Sequence, residues 1–282
     1  MADEFMLETS DATIRVRRQG SGPPVLLLHG HPQTSAIWHL VAPLLESRFT
    51  LLMPDLRGYG GSSKPETTTD HVPYSKRAMA RDQIALMDQL GIEQIAVVGH
   101  DRGGRVAYRM ALDHPDRVSR ISVLDILPTI EHFQRTNMAF AMAYFHWFFL
   151  AQPAPMPETL IGANPDAYYF PGNRHLFAPE ALAEYLTGCY DPAQIHAMCE
   201  DYRAAATYDC DLDRQDQEAG RTIDCPVQVL WGTRGPVGKI YDVLDVWQSW
   251  APDLRGKALE CGHYLAEEQP ESTAAELLAF LG

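Results

Sequence analysis

The sequence has no apolar run long enough to cross a bilayer. Its longest apolar stretch, Met138 to Ala151, is interrupted by His146, and its fourteen residues fall short of the ~20 that a transmembrane helix needs. No positively charged and then apolar leader stands at the N-terminus. We therefore expect no membrane span, and we interpret Met138 to Ala151 as a buried helix of the protein itself.

Cysteine is scarce and follows no metal-binding or disulfide pattern. The five cysteines are an odd number, and no two of them have the C-x-x-C spacing. This usage favours free thiols in a reducing cytoplasm. No metal site is evident from the sequence, and we predict neither a metal nor a cofactor.

Positive charge is also in short supply. The chain has 23 lysines and arginines against 37 aspartates and glutamates, which gives a net charge of −14. A field of this sign repels nucleic acid and anionic membranes, so both are excluded as expected partners. It also repels small anions at long range. If the substrate is an anion, local cations must overcome that field, and arginines near the active site become informative.

Short apolar runs alternate with helical segments through the first part of the chain. This alternation predicts an α/β fold with a mostly parallel sheet and helices on both faces. The predicted strands are residues 5–9, 13–16, 25–28, 51–54, 95–98, 121–124, 227–231 and 257–260, and the longer predicted helices are residues 75–90, 103–112, 241–250 and 271–281.

The alternation stops in the middle of the chain. Between about residues 126 and 215 the sequence is mainly helical or irregular, with many aromatic residues and several prolines. We therefore predict a core in two parts, residues 1–126 and 216–282, separated by a helical cap over residues 127–215. A segment of that size lies within the usual range of a domain.

The most informative motif is Gly99-His100-Asp101-Arg102-Gly103, which lies between a predicted strand and a predicted helix. This context is that of a nucleophile elbow, in which the central residue is usually serine. Here the central residue is Asp101. A carboxylate is suited to displacement at saturated carbon, which leaves an alkyl ester on the enzyme for water to hydrolyse. The sequence therefore predicts Asp101 as the nucleophile.

A general base and an acid that orients it are expected downstream of the nucleophile. His263 follows the last predicted strand and is our candidate for the base. The loop 232–236, where the acid usually lies, contains none. Asp125 follows the preceding strand and is our candidate, with Asp242 in reserve, although an aspartate there could instead cap a helix.

The loop Leu28-His29-Gly30-His31-Pro32 follows a predicted buried strand and has the composition of an oxyanion loop. We expect the backbone N–H groups of His31 and Arg102 to point at one oxygen of Asp101. That oxygen carries the negative charge when water attacks the ester.

Taken together, these motifs resemble the fluoroacetate (haloacetate) dehalogenases of the α/β-hydrolase superfamily, and the similarity runs through nearly the whole length. The resemblance implies the α/β-hydrolase fold, with an eight-stranded sheet and an inserted helical cap. The motifs on which the resemblance rests are HGHPQT (29–34), DLRGYGGSSKP (55–65), GHDRGGR (99–105), LDILPT (124–129), HWFFLAQ (146–152), CEDYRA (199–204) and GHY (262–264).

The resemblance also implies a substrate and a role for each site residue. Asp101 would attack the carbon that bears the halogen of a short 2-haloacid, His263 would activate water, and Asp125 would orient His263. The products would be a hydroxy acid and halide. The resemblance further implies a homodimer.

The resemblance implies two binding groups within this site. Arg102 and Arg105 would hold the substrate carboxylate, because guanidinium groups match carboxylates and a helix N-terminus favours an anion. His146, Trp147 and Tyr202 would hold the departing halide with their N–H and O–H donors. From composition alone, His146 and Trp147 would be ordinary packing residues of an aromatic-rich segment, and Arg105 could belong to a structural salt bridge.

One residue departs from the family pattern. Position 31 is most often Phe in the family as we know it, and here it is His31. The change adds a polar side chain near the predicted carboxylate site and leaves the backbone donor intact.

Two other functions remain open. An epoxide hydrolase uses the same nucleophile and base and needs two cap tyrosines, although a neutral epoxide gives no reason for Arg102 beside the nucleophile. A non-catalytic receptor or scaffold of this fold is the other alternative, but such proteins often lack a triad member. The candidate tyrosines are Tyr168, Tyr169, Tyr185, Tyr190, Tyr202 and Tyr208.

Overall fold

Eight strands form one twisted sheet in the computed structural model, which describes residues 3–282. The strand order is β1-β2-β4-β3-β5-β6-β7-β8. β1 and β2 are antiparallel to their neighbours, and β3 to β8 run parallel. The predicted mostly parallel eight-stranded sheet is therefore confirmed. The strands are β1 (Asp3–Glu8), β2 (Thr13–Gly20), β3 (Pro24–Leu28), β4 (Thr50–Pro54), β5 (Ile95–His100), β6 (Val118–Leu124), β7 (Val227–Gly232) and β8 (Leu254–Leu259).

Helices cover both faces of the sheet. Because side chains alternate along a strand, Leu26 and Leu27 of β3 point to opposite faces and belong to two separate hydrophobic clusters. One cluster includes Leu86 of α2 (Lys76–Gln89), and the other includes Leu277 of α15 (Pro270–Leu281). The other helices of the core are α1 (Ala42–Leu45), α3 (Arg102–Asp113), α12 (Pro236–Ile240), α13 (Val243–Gln248) and α14 (Leu265–Glu268).

A helical segment joins β6 to β7. It lies where the sequence analysis predicts the cap, and its side chains form part of the cavity described below. Its helices are α4 (Thr129–Gln134), α5 (Met138–Ala143), α6 (Phe145–Leu150), α7 (Met156–Ala163), α8 (Pro165–Tyr168), α9 (Pro179–Cys189), α10 (Pro192–Ala204) and α11 (Cys210–Glu218).

The interpretation of Met138 to Ala151 as one buried helix is wrong. The backbone turns at Tyr144 (φ −116°, ψ 37°), so the stretch forms α5 and α6. Met138 and Met142 are 82% and 77% exposed, whereas Trp147 is buried. Because almost every residue here is apolar, the sequence carries no alternation of polar and apolar positions from which to read the buried side.

Parallel strands bring their carboxyl ends to one edge of the sheet, and the predicted site residues lie there. β3 leads to His31, β5 leads to Asp101, and β6 leads to Asp125. His263 follows β8 after a short loop. No helix within residues 3–282 has the length and apolar character needed to span a membrane.

Candidate active site

Asp101 sits at a sharp turn between β5 and α3. Its backbone is in a region that side chains rarely adopt (φ 45°, ψ −114°). Such a conformation costs roughly 1–3 kcal/mol and persists only where the surroundings enforce it. The turn is tight enough that a Cβ on Gly99 would lie 2.4 Å from the Gly103 carbonyl oxygen. The motif therefore forms the predicted elbow and directs Asp101 towards the cavity.

The loop after β3 holds one oxygen of the Asp101 carboxylate. The His31 backbone N–H donates to Asp101 Oδ2 over 2.9 Å. A Cβ on Gly30 would lie 2.6 Å from the Asp101 Cβ, so a glycine is needed for this approach. The other predicted donor, the Arg102 backbone N–H, makes no hydrogen bond to Asp101 within the described chain. Oδ1 is left free to react.

Cations near Asp101 keep it ionised. Burial alone raises the pKa of a carboxyl group. The positive charges of His263, Arg105 and Arg102 outweigh that effect, and the pKa of Asp101 is lowered well below its ordinary value. Asp101 is therefore an ionised carboxylate at neutral pH.

Asp125 orients His263 in the structure. The His263 Nδ1–H donates to Asp125 Oδ2 over 2.6 Å, and the Gly232 backbone N–H donates to Asp125 Oδ1 over 3.0 Å. Because Nδ1 carries the proton in this arrangement, Nε2 is free to accept one. The reserve candidate, Asp242, instead caps α13 by accepting from the Asp245 backbone N–H.

The carboxylates around His263 make it a stronger base. Burial lowers the pKa of an imidazole, but the hydrogen bond to Asp125 and the charges of Asp125 and Asp101 act in the opposite direction. Their combined effect is larger, and the pKa of His263 is raised above its ordinary value. A base of this kind suits the removal of a proton from water.

Arg102, the residue after Asp101, belongs to a buried ionic network. Its guanidinium group binds Asp201 of α10, with Nε donating to Oδ2 over 3.1 Å and Nη2 donating to the backbone carbonyl over 2.9 Å. Asp201 also binds Lys76 and accepts from the Tyr59 hydroxyl over 2.8 Å. Arg102, Asp201 and Lys76 are all fully buried. Asp201 therefore joins the helical segment to the core under the site.

Arg105 has a different environment. Its Nη1 donates to the Leu127 carbonyl over 2.8 Å, and no carboxylate forms a salt bridge with it among residues 3–282. Three buried guanidinium nitrogens have no hydrogen-bond partner within the described chain: Arg203 Nη2 and, on the helix that follows Asp101, Arg105 Nε and Arg102 Nη1. These nitrogens are donors that an anion could satisfy.

A cavity of about 300 Å³ opens over Asp101 and His263. Arg102, Arg105 and Trp147 are not among the residues that line it. The lining residues are His31, Pro32, Asp101, Ala143, Tyr144, Phe145, His146, Tyr168, Tyr169, Phe170, Pro171, Asn173, Tyr202, His263 and Tyr264.

The predicted halide-binding residues cluster beside this cavity. His146 and Tyr202 line it, with ring centroids 5.8 Å apart, whereas Trp147 is 1% exposed and lies behind them, 6.0 Å from the Tyr202 ring. The Trp147 ring also lies under Arg105, whose Cζ is 4.5 Å from its centroid. Trp147 thus connects the predicted halide-binding residues with Arg105 of the predicted carboxylate-binding pair.

Sequence reasoning assigned no role to several residues of this site. Asp201 stands within the CEDYRA motif directly before Tyr202, but nothing in the local sequence indicates that it pairs with Arg102 or Lys76. Tyr144 and Tyr264 also line the cavity. Tyr144 stands two residues before His146 and Tyr264 directly after His263, and this closeness in sequence is the signal that could have found them. The described residues contain no group of three or more His, Cys, Asp or Glu side chains that could hold a metal ion.

The family model described as "alpha/beta hydrolase fold" matches residues 23–270. A crystal structure of a protein from Nostoc sp PCC 7120, assigned to the α/β hydrolases, superposes with a TM-score of 0.96 at 50% identity, covering 99% of this chain and 98% of that chain.

Two curated relatives differ in their activities. A fluoroacetate dehalogenase from Burkholderia sp is 46% identical over 98% of this chain and 92% of that protein. A soluble epoxide hydrolase from Corynebacterium sp. (strain C12) is 34% identical over 93% of this chain and 91% of that protein. The chain is therefore similar to hydrolases of both kinds, with the higher identity to the dehalogenase.

Proposed function

The chain belongs to the fluoroacetate dehalogenase family of the α/β-hydrolase superfamily, and from this premise we propose that it hydrolyses the carbon–halogen bond of short 2-haloacids. Haloacetate would give glycolate and halide. The observation that carries this proposal is the ionised Asp101, which lines a small cavity and has the buried cations Arg102 and Arg105 on the helix that follows it. A carboxylate nucleophile suits attack at saturated carbon, and the cations suit an acidic substrate.

In the first step, Asp101 Oδ1 attacks the carbon that bears the halogen. A carbon–oxygen bond forms as the carbon–halogen bond breaks, and the halide leaves with the bonding electrons. The product is an ester between Asp101 and the acid. Oδ2 stays hydrogen-bonded to the His31 backbone N–H, which fixes the carboxylate plane during attack.

In the second step, His263 Nε2 takes a proton from water, and the resulting hydroxide attacks Cγ of the ester. The His31 N–H stabilises the negative oxygen of the intermediate, and we propose the Arg102 N–H as its second donor. The hydroxy acid then leaves with the proton from His263. The water oxygen remains in the Asp101 carboxyl group, which loses the second proton of the water to solvent, so the carboxylate is regenerated.

The substrate carboxylate binds at the arginine side of the site. Arg102 Nη1 and Arg105 Nε are buried donors without partners in the described chain, and both belong to the first turn of α3, the helix that follows Asp101. Arg102 keeps Asp201 as its counter-ion, while Arg105 has no acidic partner within the described part of the chain. Arg105 therefore contributes the uncompensated charge that attracts the anion.

His146, Trp147 and Tyr202 form the halide site in this proposal. Fluoride leaves only if donors replace the water that would otherwise solvate it. The two ring N–H groups and the tyrosine hydroxyl supply such donors. The contact of the Tyr202 ring with the rings of His146 and Trp147, in a cavity wall shared with Asp101, supports this assignment.

Three broader features belong to the same proposal. Residues 127–215 act as a cap, because Tyr144, His146 and Tyr202 from this segment close the cavity over Asp101. The protein works in the cytoplasm, in agreement with its five free cysteines. It is a homodimer, as is expected for this family.

Epoxide hydrolysis is the second candidate function, because tyrosines of the helical segment line the cavity opposite Asp101. Tyr144, Tyr168, Tyr169 and Tyr202 could protonate an epoxide oxygen. Such a substrate would, however, leave the buried donors of Arg102 and Arg105 without a partner.

The test is incubation with fluoroacetate, chloroacetate and styrene oxide, followed by assays for halide and for diol. We expect halide from the two acids and little diol. Diol without halide would reject the dehalogenase proposal in favour of the epoxide hydrolase.

A further inference from the structure

His31 has a side chain that the reaction described above does not use. Its backbone N–H holds Asp101, while its imidazole ring forms part of the cavity wall. The residue is 9% exposed, and Nδ1 is buried without a hydrogen-bond partner. An unpaired buried polar atom is costly, so the surroundings of this ring call for a polar ligand.

The ring of His31 lies against the proposed halide site. Its centroid is 5.2 Å from the Tyr202 ring and 6.5 Å from the His146 ring. The Tyr202 contact is edge-to-face, with an interplanar angle of 82°. His31 therefore lines the same cavity as His146 and Tyr202, two of the three proposed halide donors. Its backbone N–H is also hydrogen-bonded to Asp101, the proposed nucleophile.

The His31 ring is neutral at the pH of the cell. Burial lowers its pKa to about 4, with the nearby charges of Asp101 and Arg102 acting in opposite directions. A neutral imidazole carries one N–H donor and one acceptor nitrogen. Neither nitrogen has a hydrogen-bond partner within residues 3–282; because Nδ1 is buried, it is the tautomer with its proton on Nε2 that offers an N–H to a ligand in the cavity.

We propose that the imidazole N–H of His31 is a fourth donor to the departing halide, which makes His31 a catalytic residue. The inference rests on the proposed dehalogenase function. Fluoride gains more than chloride from an added donor, because it is smaller and more strongly hydrated. His31 thus favours defluorination over the easier loss of chloride.

The principal test is His31→Phe, which keeps an aromatic ring and the backbone donor but removes the imidazole nitrogens. We expect kcat/KM for fluoroacetate to fall about tenfold, the effect of losing one hydrogen bond to a charged group. The value for chloroacetate should change by less than about threefold. His31→Gln, which retains a side-chain donor, should recover part of the fluoroacetate rate.

Two controls identify the cause of any loss. His39→Phe makes the same exchange at a partly buried ring outside the cavity, whose Nδ1–H donates to the Ala36 carbonyl, and it should leave the ratio of the two rates unchanged. Chloride and fluoride titrations of the resting enzyme, followed by intrinsic fluorescence, measure halide binding without turnover. His31→Phe should weaken the binding of fluoride more than that of chloride.

Equal losses for both substrates, or an unchanged ratio together with unchanged halide binding, would overturn the role of His31. A changed preference between chloroacetate and 2-chloropropionate at a constant fluoride-to-chloride ratio would also overturn it, because the ring would then face the C2 substituent. If the wild-type enzyme releases no halide, the proposed function fails. The halide titrations still decide whether His31 binds the anion.

Discussion

The two parts of the candidate site are built differently. Asp101, Asp125 and His263 stand at the ends of strands of the core and are fixed by a few hydrogen bonds and by unusual backbone at the first two. The helical segment contributes Asp201 and Tyr202, and Asp201 is fixed by a buried ionic network. The difference indicates that sheet topology positions the proposed nucleophile, acid and base, whereas packing of the inserted helices positions the proposed halide donors and the counter-ion of Arg102.

The largest effect should come from Asp101→Asn. The amide cannot attack saturated carbon, so halide release from chloroacetate should fall below detection while the far-ultraviolet circular dichroism spectrum stays unchanged. A halide electrode measures the rate. Substantial remaining activity would mean that Asp101 is not the nucleophile. The strand ends of the core would then not be what positions the nucleophile.

Asp125→Asn should be the next most damaging change. Loss of the orienting carboxylate is expected to slow ester hydrolysis by about four orders of magnitude, because the imidazole adopts the wrong tautomer.

The pH profile of the Asp125→Asn variant gives a second measurement. His263 must be neutral to act, so activity is lost as pH falls through its raised pKa. Removing the Asp125 charge lowers that pKa, so the midpoint of any residual activity should move to lower pH. An unmoved midpoint would argue against this pairing.

Asp201→Asn tests the network on the helical side. The change leaves the buried charge of Arg102 without its counter-ion and leaves Lys76 with only Asp209, 3.9 Å away, so the free energy of unfolding should fall by roughly 3 kcal/mol. Urea denaturation measures this loss. The matched control is Asp166→Asn, which breaks an exposed pair with Arg174 and should not change stability measurably. Equal stability of the two variants would show that the network does not join the segment to the core.

Trp147→Phe should give the smallest effect. Loss of the indole N–H removes one proposed halide donor, so defluorination should slow about tenfold and dechlorination by less. Initial rates on fluoroacetate and chloroacetate measure the ratio. Equal losses would indicate that Trp147 only packs against Arg105 and Tyr202.

The core side of the site was predictable because its residues follow strands. Once the buried strands were located, Asp101, Asp125 and His263 had to meet at the carboxyl edge of a parallel sheet. Asp242, the reserve candidate for the acid that orients His263, instead caps a helix. Capping is a common local use of aspartate and is compatible with the sequence around it.

The helical side was less predictable for a physical reason. Contacts such as Arg102 to Asp201 join residues 99 positions apart through the packing of α10 on α3, and no local pattern encodes that approach. The exposed face of α5 was missed for a related reason, since a uniformly apolar stretch has no polar side to identify. In the helical segment, the family motifs pointed to candidate site residues but not to the residues that these contact.

The central claim is that a covalent ester forms on Asp101, and His263→Asn tests it most directly. Without its base the enzyme should complete the first step and stop, because water is no longer activated. After incubation with chloroacetate, mass spectrometry of the intact protein should show the addition of one carboxymethyl group, and peptide mapping should place it on Asp101. An unmodified protein that has nevertheless released halide, or a modification on another residue, would contradict the account.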